Sequence, residues 1–212
     1  MESNQVTTGT TTLAMICKDG IVLAADKKAT AGYLIVDKHA EKIHLIAKDM
    51  ALTTAGTVSD IQLLIKLIKA EIALKSMRSD KEVTVKEAAN LLGRMIYSNI
   101  RKFSTIPGLS HFILGGKDKH GFHIYDLFPD GSVTECQDYV SSGSGSVMAY
   151  GVLETLYKKD LPVQEGIKLA VKSINAAVQR DIASGEGIDV VTITKDGTKR
   201  VLTKEIDTRI QA

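Results

Sequence analysis

The stretch Thr7-Thr8-Gly9-Thr10-Thr11-Thr12 holds the residue types for one particular chemistry. A threonine hydroxyl is a weak nucleophile alone, and an adjacent amine that takes its proton activates it. Thr10 supplies both groups itself if the protein cuts its own Gly9–Thr10 bond. A free α-amine has an ordinary pKa of about 7.7–8.0, so a modest downward shift leaves it largely neutral at pH 7. A lysine needs a far larger shift for the same task. Three threonines also suit the start of a β-strand, so the local signal admits both readings.

Further candidates lie where apolar runs meet polar residues. Asp26 follows the run Ile21–Ala25, at the end of a buried strand. Lys42 opens an otherwise apolar segment. A lysine close to the Thr10 hydroxyl favours its alkoxide form, and Asp26 is an acid able to hold that lysine. Asp181 follows Gln179-Arg180 late in a helical stretch. Taken one at a time, each also reads as an ordinary surface charge. Ser141-Ser142-Gly143-Ser144-Gly145-Ser146 precedes a helix and invites a phosphate reading. The dinucleotide fingerprint wants glycine where Met148 stands, and the lysine of a phosphate loop is absent. A tight turn that positions hydroxyls fits better.

The elements that position these residues follow from hydrophobic period. Residues 10–17 and 21–26 read as strands across the turn Lys18-Asp19-Gly20. Residues 27–40 read as loop with a short extended piece. Residues 42–47 and 50–55 form a second hairpin, ended by Gly56. Ile61, Leu64, Ile65, Ile68 and Ile72 recur at helical spacing across 58–78. Thr84 and Glu87 form a capping box that opens a helix to about Phe103. Strands follow at 111–116, 122–128 and 132–138, then helices at about 147–158 and 162–182. Residues 188–194 and 199–203 close the chain as a hairpin. No long Pro-, Gly- or Ser-rich linker divides it. The order implies an α+β domain, a four-layer αββα sandwich of two antiparallel sheets between helical layers.

Composition narrows the function. The chain has 212 residues, 44% apolar and 25% charged, with a net charge of +2. No basic cluster suggests nucleic acid. No apolar run approaches the ~20 residues of a membrane span, and residues 1–9 do not form a secretory signal. Cys17 and Cys136 fall in expected strands, and two unpaired thiols suit a reducing, cytoplasmic setting. The five histidines lack metal-ligand spacing, so neither a metal nor another cofactor is expected.

Gly9-Thr10-Thr11-Thr12, Asp26 before Lys27-Lys28, Lys42, Ala55-Gly56, Ser142-Gly143-Ser144-Gly145-Ser146, Tyr150-Gly151 and Gln179-Arg180-Asp181-Ile182-Ala183-Ser184-Gly185 stand in one order. As a set they resemble a proteasome β subunit of the single-type archaeal kind, within the N-terminal nucleophile hydrolases. The resemblance covers essentially the whole chain. It implies a propeptide of residues 1–9, removed autocatalytically after Gly9, and a single peptidase domain over 10–212.

By resemblance Thr10 is the nucleophile, Lys42 the lysine that lowers its hydroxyl pKa, and Asp26 the acid paired with that lysine. Ser144, Asp181 and Ser184 match the groups that hold the Thr10 amine and its water. The Gly56 main-chain N–H matches the oxyanion donor. Thr30 and Gly56 offer main-chain bonds to an extended peptide, a form of strand addition. The pocket for the residue before the cut is lined by Ala29, Ala40, Lys42, Thr54 and Val58, with the neutral Gln62 nearby. No carboxylate is expected there, so cleavage after apolar residues is expected over cleavage after basic ones.

The same resemblance implies stacked sevenfold rings, two of β subunits between two of α subunits (α7β7β7α7). An ATP-dependent unfoldase would act through the α rings, and unfolded proteins would be the substrates. The helices at 58–78 and 84–103 would face a neighbouring ring. A ring-building β subunit without activity predicts loss of Thr10, Lys42 or Asp26, and all three are present. The related bacterial sixfold protease has shorter chains that begin almost at the threonine. A small-molecule amidase of the superfamily would carry its threonine well inside a longer precursor.

Overall fold

The strand over Thr12–Cys17 (β1) shows how the layers arise. Leu13 and Met15 pack against helices, whereas Ala14 between them faces a second sheet. Gly20–Asp26 (β2) repeats the pattern: Val22 and Ala24 face helices, and Ile21, Leu23 and Ala25 face the other sheet. Both faces are covered, so the run is nearly continuously apolar. These features come from a computed structural model that describes residues 9–206. Residues 1–8, most of the expected propeptide, lie outside the described residues, as do 207–212.

Ala29–Ala31 (β3) and Leu34–Asp37 (β4) form a small sheet of their own. Next come Ile43–Ala47 (β5), Met50–Gly56 (β6), the helices Val58–Ser79 (α1) and Val85–Ile100 (α2), and the strands Ser110–Asp118 (β7), Gly121–Leu127 (β8), Val133–Cys136 (β9) and Tyr139–Ser142 (β10). Ser146–Leu156 (α3), Val163–Val178 (α4), Gly187–Thr194 (β11) and Gly197–Glu205 (β12) complete the described fold. One sheet has the order β10-β1-β2-β11-β12 and the other β5-β6-β7-β8-β9. Every pairing is antiparallel.

Three buried layers hold this αββα sandwich together. Ile61, Leu64, Ile68 and Ile72 of α1 join Ala88, Leu92 and Ile96 of α2 over Leu52, Phe112 and Leu114. Leu169, Ala170 and Ile174 of α4 join Ala149 and Leu153 of α3 over β1 and β2. Ile43, Ala51, Ile113 and Ile124 meet Ile21, Leu23 and Val191 between the sheets. Each large aliphatic side chain so buried contributes roughly 1.5–3 kcal/mol. The capping box is present: Thr84 accepts from the Glu87 N–H, and Glu87 accepts from the Thr84 N–H at 2.9 Å.

Several boundaries differ from the sequence expectation. The expected loop at 27–40 contains the β3–β4 hairpin. The strand expected over 132–138 shortens to β9, and an unexpected strand, β10, follows it and joins the other sheet. Serines at 141 and 142 hide β10 in the sequence, yet both are buried and bonded. Ser141 Oγ donates to the Thr12 carbonyl at 2.8 Å, and Ser142 Oγ lies 2.8 Å from Thr12 Oγ1. Helix α2 ends at Ile100 and α4 at Val178, each earlier than expected. The residues after α4 turn back towards Thr10.

Candidate active site

Thr10 precedes β1 and is only 5% exposed. Glycines let the surrounding chain close on it. A Cβ on Gly143, whose φ is +92°, would overlap the Thr10 carbonyl. One on Gly145 would overlap Thr11 Oγ1. One on Gly9 would overlap the Ala183 side chain. The Ser-Gly-rich loop is therefore a cradle for the threonine run, because only glycine permits such close approach.

Asp26, at the end of β2, is 1% exposed. Its Oδ1 accepts from the Thr11 N–H at 2.9 Å and from Lys42 Nζ at 2.7 Å. Its Oδ2 accepts from the main-chain N–H groups of Gly185 at 2.9 Å and Lys28 at 3.1 Å. One buried carboxylate thus fixes three segments of chain and one lysine. A buried charge needs such partners to be tolerated. Burial pushes the Lys42 pKa down from its ordinary value, and Asp26 opposes that shift.

On the other side, the Thr10 N–H donates to Ser144 Oγ at 3.2 Å. Ser144 Oγ donates to Asp181 Oδ2 at 2.6 Å, and Ser184 Oγ donates to the same oxygen at 2.5 Å. Ser184 reaches Thr11 Oγ1 at 2.6 Å rather than Thr10. The Thr10 hydroxyl donates to the Gly9 carbonyl at 2.6 Å, and the Gly9 N–H donates to Thr30 Oγ1 at 3.2 Å. With Gly9 attached, the Thr10 nitrogen is an amide and has no basic lone pair.

A cavity of about 370 Å³ opens beside this group. Gly9, Thr10, Ala29, Thr30, Ala40, Lys42, Thr54, Gly56 and Val58, all named from sequence, line it. Gly56 has φ +124°, and a Cβ there would overlap the Leu109 carbonyl. Both conditions exclude side-chain-bearing residues at low cost.

The expectation that no carboxylate stands in this pocket is wrong: Asp37 and Glu41 both line it, along with His44. Asp37 escaped notice because residues 27–40 read as loop, whereas the β3–β4 hairpin brings Val36 and Asp37 to the cavity; Glu41 lies between that hairpin and β5. Burial holds His44 below the ordinary histidine pKa, and Glu41 opposes the shift. Sequence reasoning also missed Thr11, whose main chain and hydroxyl link Asp26 to Ser184. It missed the chain of hydroxyls Thr53–Thr12–Ser142 between the sheets too. The only available signal for either was adjacency to Thr10 in a polar run at the head of a buried strand.

Comparison with known proteins matches the chain to a family. The "Proteasome subunit" family model matches residues 6–193. A "Proteasome subunit beta" of Ferroglobus placidus is 45% identical over 207 residues, spanning 98% of this chain and 97% of the relative. Its counterpart in Archaeoglobus profundus is 46% identical over 204 residues, covering 96% and 93%. That of Methanosarcina mazei is 42% identical over 209 residues, covering 99% and 98%. With matches of this extent along nearly its whole length, the chain belongs to the proteasome subunit family.

Proposed function

We propose that the chain is a catalytic β subunit of a 20S proteasome core, a threonine endopeptidase that hydrolyses unfolded proteins to short peptides. The observation that carries this reading is one linked group: Thr10 and Lys42 line the same cavity, Asp26 holds Lys42 from behind, and Ser144 accepts the Thr10 N–H. In the mature chain, Thr10 Oγ1 attacks a peptide carbonyl and the freed Thr10 amine accepts the hydroxyl proton. The amine then protonates the leaving nitrogen. An ester remains, and water deprotonated by the same amine hydrolyses it. Lys42 provides positive charge that favours the alkoxide, while Asp26 holds the lysine in place. The Gly56 N–H serves the oxyanion, a contact type worth about 2.7–4 kcal/mol. Ser144 and Asp181 orient the amine, and Ser184 acts through Thr11 and Asp181.

Maturation uses the same atoms. Thr10 Oγ1 attacks the Gly9 carbonyl carbon, the Gly9–Thr10 amide becomes an ester, and water releases residues 1–9. The hydroxyl is already hydrogen-bonded to the Gly9 carbonyl oxygen. The subunit works within α7β7β7α7 rings, supplied with substrate by an ATP-dependent unfoldase through the α rings. Leu63, Leu67, Leu74 and Met77 of α1 and Tyr97 of α2 leave an exposed apolar face suited to a neighbouring subunit. Among the described residues no helix is long and apolar enough to cross a membrane. Apolar cavity walls from Ala29, Ala40, Val58, Ile61 and Ile65 favour cleavage after apolar residues.

Intact mass of the chain co-assembled with α subunits tests the proposal. The mass of residues 10–212 is expected for the wild type, and that of the full chain for Thr10→Ala. A wild-type chain that hydrolyses peptides while still carrying residues 1–9 would contradict it.

A further inference from the structure

The cavity contains a charge that is already spoken for. Glu41 stands at its rim, and Arg200 Nη2 on β12 donates to Glu41 Oε1. The same nitrogen donates to the Ile43 carbonyl at 3.2 Å, which ties the guanidinium to the start of β5. Arg200 Nη1 lies 3.9 Å from Asp189 Oδ2. Asp189 is 1% exposed, and among the described residues neither of its carboxylate oxygens has a hydrogen-bond partner. Lys27 Nζ approaches the same oxygen at 3.6 Å. A carboxylate buried in this way demands nearby cations, so Asp189 gives Arg200 a reason to point inward.

The β12 backbone is shaped to the same end. Val190 pairs with Leu202, but Val191 pairs with Arg200, so Val201 is an extra residue in β12. Bulges of this kind re-aim side chains next to functional sites. Without it Arg200 would pair with Thr192 and take the opposite face of the sheet. With it, Arg200 shares the face of Val191 and Asp189, towards the other sheet and Glu41.

We propose that Arg200 is a positioning residue for substrate selection: it holds Glu41 and withholds that carboxylate from a basic residue entering the cavity. This rests on reading the cavity as the site for the residue before the cut. The other charged groups there do not replace Glu41. Lys42 is bound to Asp26. Asp37 has one carboxylate oxygen already engaged, Oδ1 accepting the His39 N–H at 2.8 Å. Burial holds the His44 pKa below its ordinary value, which disfavours a cation there. A freed Glu41 would be the carboxylate best able to meet an incoming guanidinium in bidentate fashion.

The test uses assembled particles and three fluorogenic peptides that differ only in having Leu, Arg or Glu before the cut. In Arg200→Gln the Arg:Leu ratio of kcat/KM rises about tenfold, chiefly through a lower KM for the Arg peptide. In Glu41→Gln the freed guanidinium raises the Glu:Leu ratio by a similar factor. The double variant brings both ratios back towards wild type. Wild-type ratios in both single variants, with Leu still cleaved, would overturn the inference. Should Arg200→Gln fail to assemble, the Glu:Leu ratio of Glu41→Gln decides alone. A wild-type particle that cleaves none of the peptides would defeat the proposed activity instead.

Discussion

Residues 41 and 42 are neighbours in the chain, yet their ion pairs are physically unlike. Lys42 and Asp26 meet at 2.7 Å with side-chain exposures of 7% and 0%. Glu41 and Arg200 meet with exposures of 55% and 35%. Water screens the second pair and hardly reaches the first. A buried pair is weak evidence of net stability, but breaking one member leaves an uncompensated charge inside the protein. The inner pair therefore controls whether the site exists, and the outer pair tunes what it accepts.

The sharpest way to break the contrast is at the inner pair. Lys42→Ala should lower kcat for a Leu peptide by at least about 10²-fold, the scale of a lost proton-transfer or electrostatic group. Peptide kinetics on the assembled particle check this, with Glu41→Ala as the outer counterpart retaining far more activity. Asp26→Asn should destabilise the subunit by roughly 3–5 kcal/mol, whereas Asp26→Asn with Lys42→Met should recover part of that loss. Urea unfolding of both variants decides it.

The pH dependence of the inner pair has a definite sign. Burial sets the Lys42 pKa below 10.5 in the folded chain. Between that lowered value and 10.5 the unfolded chain binds more protons, so Lys42 makes stability rise with pH there. Lys42→Met should flatten that limb of the stability curve.

Salt separates the two pairs next. Raising ionic strength from about 0.05 to 1 M shortens the screening length to roughly 3 Å. The Arg:Leu preference of the wild type should shift with salt, while the inner pair should keep Leu cleavage comparatively steady. Kinetics at matched pH measure both.

The smallest effect belongs to the exposed end of the same scale. Lys75 bonds Glu87 at 2.8 Å with both side chains 44% exposed, and that bond, helped by the cap at Thr84, brings the Glu87 pKa down to about 2. Its contribution is present above pH 4.5 and lost as pH falls through about 2. Thr84→Ala should cost about 1 kcal/mol and leave peptide preference alone, as urea unfolding and the three-peptide assay would show.

How much of this could be read from sequence depended on how local each signal was. The α1 stripe from Ile61 to Ile72 and the Thr84–Glu87 cap were legible because period and capping are properties of short stretches. Strand β10 was not, because Ser141 and Ser142 look like loop until Thr12 supplies their partners. Thr10, Asp26, Lys42 and Ser144 could be named in order from motifs, and the fold brings them together. Glu41 and Arg200 could not, since 159 positions separate them and the bulge at Val201 leaves no mark in the residue types.

The central claim is that the Thr10 nitrogen becomes the proton acceptor once Gly9 has gone. The most direct measurement compares particles built from chains that begin at Thr10, with that amine either free or acetylated. Peptide hydrolysis should fall by at least about 10²-fold on acetylation, with the particle still assembled. Full activity from the acetylated particle would contradict the account.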